Sequence, residues 1–297
     1  MSSANENNAA IDYTEKELRE RLCMSTTAFR KPENQRGYPK PTPEMLSSIK
    51  NAGIDYIELI EIRDQYDLEN PQEVRELHET ISDAGIQVVS LHCCFSCLKW
   101  ETEEEHTREL DRSKRQIDAT LMMGARFWSS HTRIEHPTAK KGFEELLRYA
   151  EGKDVTLAIE NFPWPEQTVA NNLAFIRDID HPQLGMLLDT GHCLNSDGPQ
   201  PMTVAGRAGQ IVRDCGSDLV HTHLSDFKFS ETERCDHFAP FDGDIQWVEV
   251  MRALKEIGYK GYFNFEQLSR SFAAVPDTLS KIGSFPEELC RRARALF

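Results

Sequence analysis

The chain has 297 residues, 39% of them hydrophobic and 28% charged, enough to bury a large core without disulfide staples. Its 34 Lys and Arg face 49 Asp and Glu, and the formal net charge of −15 argues against broad attraction to nucleic-acid backbones or anionic lipid, though not against one small anion. There is no run of about 18 apolar residues to span a membrane, and the polar start MSSANENNAAIDYTEKE has no apolar core for a secretory signal. The expectation is a reduced, cytoplasmic protein with neither a membrane nor a nucleic-acid partner.

Residues 1–15 read as a flexible tail. Beyond it an apolar run, a turn and an amphipathic helical stretch recur. The first run is RLCMSTTAF near 21–29, followed by runs at 54–60, 86–92, 125–131, 155–160, 184–189, 219–224 and 261–266. Between them lie helical patterns such as PQEVRELHETISDAG, EEHTRELDRSKRQIDATLMMG and TAKKGFEELLRYAEG. Several end in glycine (Gly53, Gly85, Gly124, Gly152, Gly258), a common residue just past a helix. Strands alternating with helices predict parallel βαβ units. Eight of them over about 270 residues predict an α/β fold, a (β/α)₈ TIM barrel forming a single domain over 16–297. A doubly wound open sheet is the competing architecture, but the first strand, in RLCMSTTAFRKP, lacks the glycine-rich phosphate loop such sheets carry. Cys94 and Cys97 form a CxxC at the end of an apolar run; without a second such pair it reads as structural.

In a barrel the chemistry gathers where strands end, so the residue closing each run matters. The third closes on His92, the fourth on His131, the fifth on Glu160, the sixth on Asp189 with His192 three residues later. The seventh carries His221 and His223, then Asp226; the eighth closes on Glu266, and the loop after the seventh holds His237. Five of the ten histidines thus share one predicted rim with three acids. Acids and imidazoles packed in an apolar mouth are costly to bury, and a divalent metal ion resolves the cost because both are its ordinary ligands. Glu160, Asp189, His223 and Glu266 form a compact oxygen-rich set that suits one Mn²⁺, Mg²⁺ or Co²⁺, with Zn²⁺ also admissible. His221 reads as a packed polar residue one layer below, and Asp226 as a loop or supporting group.

With these residues in view, the sequence resembles the xylose-isomerase-like TIM-barrel superfamily, which holds sugar isomerases and epimerases and the AP endonucleases. AIEN, LLDTGH, HTHLSD, the stretch from His237 to GDIQW, and FNFEQ carry the resemblance from about residue 20 to 295. It implies that Glu160, Asp189, His223 and Glu266 bind one divalent metal and that Glu160 and Glu266 are an acid/base pair. They would act on a small ketose or keto-sugar through an enediolate. His192 would hydrogen-bond a substrate oxygen, with His92, His131, Trp164, Lys228 and His237 completing the substrate-binding rim. Trp164 could stack on a sugar face or simply close its loop; Arg133 and Lys228 are candidate anion contacts or ordinary surface charges. Two departures concern the substrate. Lys228 stands near where many epimerases of the group place an arginine, and HFAPFDGDI puts Phe241 where relatives reading roughly HxPPGxGDI have glycine. The latter is expected to change the loop backbone, because phenylalanine does not take positive φ cheaply.

The resemblance also admits a dehydratase of keto-inositol or dehydroshikimate type on the same site. It further admits a zinc-dependent endonuclease whose three-ion ligands match His92, His131, Glu160, Asp189, His192, His223, His237 and Glu266. Against the nuclease, Cys235 stands where that branch has an aspartate, with Asp236 only adjacent. A non-catalytic sugar-binding barrel ranks last, since both glutamates are present. The leading expectation is a metal-dependent sugar isomerase or epimerase, assembled as a homodimer or homotetramer.

Overall fold

The eight apolar runs form eight parallel strands in a computed structural model of the chain, which describes residues 11–31, 38–61, 70–93, 98–193, 200–229, 237–269 and 271–296. They are β1 (Leu22–Ser25), β2 (Tyr56–Ile60), β3 (Gln87–His92), β4 (Phe127–Ser130), β5 (Thr156–Glu160), β6 (Leu184–Asp189), β7 (Leu219–His223) and β8 (Phe263–Phe265). The helices are α1 (Glu15–Arg19), α2 (Pro43–Asn51), α3 (Pro71–Asp83), α4 (Glu103–Met122), α5 (Ala139–Ala150), α6 (Val169–Ile179), α7 (Arg207–Cys215), α8 (Trp247–Glu256) and α9 (Val275–Arg294). The strand order is β7-β6-β5-β4-β3-β2-β1-β8. Its two ends meet where Leu224 N–H donates to the Asn264 carbonyl (2.7 Å) and the Thr222 hydroxyl to the Tyr262 carbonyl (3.0 Å), so the sheet curls into a nearly closed TIM barrel.

Burial explains why these segments become these elements. β6, LGMLLD, is covered on both faces along its whole length, as a strand lined by barrel interior and outer helix must be. α5 buries Ala139, Gly142, Phe143, Leu146, Leu147 and Ala150, a stripe at helical spacing that faces the sheet. The Asn70 side chain caps α3 by accepting from the N–H groups of Gln72 and Glu73, with Pro71 at the first helical position. The five glycines expected past helix ends all have φ between +70° and +77°.

Several expectations are refined. The first strand is shorter than 21–29: Ser25 Oγ accepts the Thr27 N–H and turns the chain into a 3₁₀ segment, Thr26–Ala28. Residues 1–10 of the expected tail, and Cys94 and Cys97, lie outside the described residues. Ile11 and Tyr13, at the end of that tail, are buried. Tyr13 packs on Phe263 (5.4 Å between ring centres), which removes apolar surface from water, and the π face of Phe263 also attracts the Arg21 guanidinium at 4.1 Å. Among the described residues no helix is long and apolar enough to cross a membrane.

The expectation about Phe241 is corrected. It adopts φ +69°, the left-handed conformation a glycine would supply. Packing holds it there: its ring stacks on Phe285 (5.3 Å, 16° between planes), meets Trp247 edge-on (6.2 Å) and lies under the Arg292 guanidinium (4.5 Å). Left-handed backbone costs a side-chain-bearing residue about 1–2 kcal/mol, which the contacts of this half-buried ring with Phe285, Trp247 and Arg292 offset. Phe241→Gly is therefore expected to lower unfolding free energy by up to about 1 kcal/mol, because relief of the left-handed strain cancels much of the packing lost with a half-buried ring. Chemical denaturation checks this; a gain in stability would mean that backbone strain, not ring packing, dominates the position.

Candidate metal centre

Glu160, Asp189, His92 and His223 are the last residues of β5, β6, β3 and β7, and Glu266 follows β8 by one position. All five are buried at the C-terminal mouth of the barrel, as is His192; His131 and His237 are partly exposed at its rim. One ligand atom from each of Glu160, Asp189, His223 and Glu266 lies within 4.8 Å of the others. His223 Nδ1 is 3.3 Å from Glu160 Oε1 and 3.1 Å from Glu266 Oε2. His92 sits between the same two glutamates, Nε2 3.2 Å from Glu160 and Nδ1 3.3 Å from Glu266. His131 Nε2 approaches Glu160 Oε2 at 3.0 Å, and His192 Nδ1 approaches Glu160 Oε1 at 3.2 Å and Asp189 Oδ2 at 3.3 Å. His237 meets His192 through the two Nε2 atoms, 3.1 Å apart. Two further donor groups, His92/His131/Glu160 and Asp189/His192/His237, share members with the first.

Local hydrogen bonding decides which atoms face the centre. Asp189 Oδ1 accepts from Gly191 N–H (2.6 Å), His192 N–H (3.2 Å) and Ser225 O–H (2.8 Å). Asn161 clamps the Asp189 backbone from both sides, accepting its N–H and donating to its carbonyl (2.8 and 2.9 Å). Asp189 Oδ2 is left aimed at the cluster without a hydrogen bond. So are both oxygens of Glu160, Glu266 Oε2 and His223 Nδ1, all buried. Buried polar atoms in such number call for an explanation, and a divalent cation among them fits, since three carboxylate oxygens and one imidazole nitrogen are suitable donors.

The electrostatics of the cluster are set by its acids and imidazoles facing one another. Burial alone would raise the Glu160 carboxyl, but the imidazoles of His131, His223 and His92 outweigh it and hold it well below the usual carboxylate range. Glu266 behaves likewise, with His223 and His237 opposing its burial. Asp189 goes the other way: burial, reinforced by the charges of Glu160 and Glu266, pushes it up against His192 and His237. Burial would lower His92 and His192, yet Glu160 and Glu266 lift His92 to about 10, and Asp189 and Glu160 lift His192 to about 9. His131 falls because its burial is not fully offset by Glu160.

Around this cluster, the Phe162 ring touches His131 (4.4 Å), His192 (4.9 Å) and Trp164 (4.2 Å), and the Arg133 guanidinium covers the Trp164 face at 4.4 Å. Trp164 thus belongs to an aromatic wall of the mouth, and Arg133 is also ion-paired to Glu135. Lys228 is exposed on the segment after β7, apart from the buried cluster, and Cys235 and Asp236 lie outside the described residues. His221 lies below the cluster, 3.1 Å from Ser90 Oγ and stacked on Phe127. Asp226 ties the ends of the His237 loop together: Oδ1 accepts from the N–H groups of Phe227 (2.8 Å) and Ile245 (3.1 Å), and Oδ2 from the Trp247 indole (2.9 Å).

Sequence reasoning missed Phe162 and, more consequentially, Glu58 in the middle of β2. Glu58 is fully buried and forms a donor group with His92 and His223. Its signal was present in YIELI: an acid inside an apolar run of a parallel sheet is buried on both sides and must be paired.

A family model described as the xylose isomerase-like TIM barrel matches residues 46–288. The chain belongs to this family. A 3-dehydroshikimate dehydratase of Pseudomonas putida is 24% identical over 250 residues, 79% of this chain and 37% of that one. A D-psicose 3-epimerase of Ruminiclostridium cellulolyticum is 31% identical over 135 residues, 44% and 41% of the two chains. The matched region thus spans about two fifths of the length of either relative. A solved xylose isomerase-like TIM barrel protein from Mycobacterium smegmatis, in complex with magnesium, shares the fold at TM-score 0.70 and 17% identity over 94% of this chain and 99% of its own.

The His237 loop depends on Gly243, where a Cβ would overlap the Phe227 carbonyl and Asp226 Oδ1. Gly243→Ala is expected to cost about 1–3 kcal/mol, the usual penalty of forcing atoms into a packed site, and to displace His237. Denaturation together with a crystal structure of the variant checks both; an unmoved His237 at unchanged stability would show that the loop yields freely.

Proposed function

We propose that this chain is a divalent-metal-dependent enzyme that isomerises or epimerises a small ketose or keto-sugar. In this reading Glu160, Asp189, His223 and Glu266 hold one ion, Mn²⁺, Mg²⁺ or Co²⁺ before Zn²⁺, and Glu160 and Glu266 are the acid/base pair. The observation that carries it is the buried quartet from four consecutive strands whose donor atoms face one another without hydrogen bonds. The sugar-epimerase relative supports the substrate class and the magnesium-bound neighbour supports a divalent ion.

A bound cation supplies polarisation of the substrate carbonyl and hydroxyl oxygens and offsets the charge of the enediolate. The chain's own residues do the rest. One glutamate takes the proton from the carbon beside the carbonyl and the other returns a proton, which for epimerisation arrives on the opposite face. The two lie on either side of the His92 ring, which contacts one carboxylate with each nitrogen. His131, His192 and His237 offer hydrogen bonds to substrate oxygens. Phe162 and Trp164 present an apolar surface to the C–H face of a sugar and help exclude water. The same proton abstraction followed by departure of a protonated β-hydroxyl would be a dehydration. The dehydratase relative, aligned with 79% of the chain, supports that as the second reading.

Metal content of protein purified without added metal tests the reading. About one exchangeable Mn²⁺, Mg²⁺ or Co²⁺ per chain, measured by elemental mass spectrometry, is the expected outcome. Two or three tightly held zinc ions would favour the endonuclease alternative and direct the next assay to abasic DNA. No metal even after reconstitution would remove the proposal. On a panel of ketoses, Glu266→Gln is expected to lower kcat by at least about 10²-fold, the usual contribution of a general acid or base. Glu160→Gln should do the same and also weaken metal binding; unchanged turnover in either variant would remove that residue from the acid/base pair.

A further inference from the structure

The acid/base scheme leaves one fully buried carboxylate without a task. Glu58 is on β2, and the register against β3 shifts between Ile57 and Glu58, which sets Glu58 opposite Ser90. The Ser90 hydroxyl donates to Glu58 Oε2 at 2.6 Å, and His221 Nε2 lies 3.4 Å from the same oxygen. Glu58 also faces the proposed ligand, with Oε1 3.0 Å and Oε2 3.1 Å from His223 Nε2, and lies 3.9 Å from His92 Nδ1. Among the described residues, the ion pairs of Glu58 are with imidazoles alone, those of His92, His221 and His223.

A neutral imidazole carries one proton on two nitrogens, and a metal takes the nitrogen that lacks it. In His223 each nitrogen faces carboxylate: Nε2 faces Glu58, and Nδ1 faces Glu160 and Glu266 at 3.3 and 3.1 Å. Without Glu58, the proton is drawn to Nδ1, where it blocks ligation. We propose that Glu58 is the positioning residue of the metal centre: it accepts the His223 Nε2–H and so keeps the Nδ1 lone pair aimed at Glu160, Asp189 and Glu266. Ser90 and His221 in turn fix the Glu58 carboxylate. This inference rests on the metal-centre reading above.

The test compares wild type with Glu58→Gln and Ser90→Ala. Affinity of the metal-free proteins for Mn²⁺ and Zn²⁺ is measured by calorimetry, and folding of each by circular dichroism. Glu58→Gln removes the charge at nearly constant shape, and its amide can turn to donate to Nε2, favouring the Nδ1–H form. The expected result is a roughly 10–100-fold weaker affinity, the range seen when a partner behind a ligand is lost, with the fold retained. In ¹⁵N spectra of histidine-labelled, metal-free protein at a pH where the imidazole is neutral, His223 should carry its proton on Nε2 in wild type and shift it toward Nδ1 in the variant. Ser90→Ala keeps the carboxylate but loosens it, and is expected to weaken binding several-fold; should Glu58→Gln fail to fold, this variant decides. Unchanged affinity with Nε2 still protonated would overturn the role of Glu58 while leaving the metal centre standing. A wild-type protein that binds neither ion would overturn both.

Discussion

Charge buried out of water has to be answered by charge, and this molecule concentrates that demand at one end of its barrel. Glu160, Asp189, Glu266 and Glu58 lie with the imidazoles of His92, His192 and His223 in a mouth nearly closed to solvent. None of these carboxylates makes an ion pair with lysine or arginine among the described residues. Isolated, each group would be strongly disfavoured there. Together they sustain one another, and their ionisation is set by neighbours rather than by intrinsic affinity for protons. Such an arrangement is expensive for a structural role and well suited to a divalent ion, whose charge answers that of the three converging acids.

Precision at the mouth depends on a polar framework one step further out. Asn161 holds the Asp189 backbone, three donors occupy Asp189 Oδ1, and Asp226 joins the two ends of the His237 loop to the Trp247 indole. Each partner saturates one side of a functional residue and leaves the other directed inward. Glu58 extends the same logic to His223. The fold can place donors accurately because they sit on strand ends, where the sheet restrains the backbone, rather than on long loops.

The rim is where chemical selectivity would be expressed. Phe162, Trp164 and Arg133 form one continuous stack beside His131 and His192, and Phe241 pins the His237 loop against Phe285 and α9. The stack gives the mouth an apolar side facing a polar one. The proposed acid/base pair would serve an epimerisation or a dehydration alike, so what surrounds it would govern the outcome; the relatives include one protein named for each reaction.

Much was legible from the sequence alone. Alternating apolar runs and amphipathic stretches specified eight parallel strands, because period and burial are local properties of the chain, and the residues closing those runs marked the rim. Glu160, Asp189, His223 and Glu266 could be grouped because strand ends in a barrel share one face. Other features were decided only in three dimensions. Glu58 stands inside the apolar run 54–60, which marks it as a buried acid in need of a partner, but only the shifted β2–β3 register and the β7 neighbour make that partner His223. Phe241 takes a backbone conformation its side chain disfavours because residues over forty positions away in α9 reward it. Which nitrogen of each histidine faces which carboxylate is likewise a matter of packing, since orientation arises from contacts between strands that the linear order keeps apart.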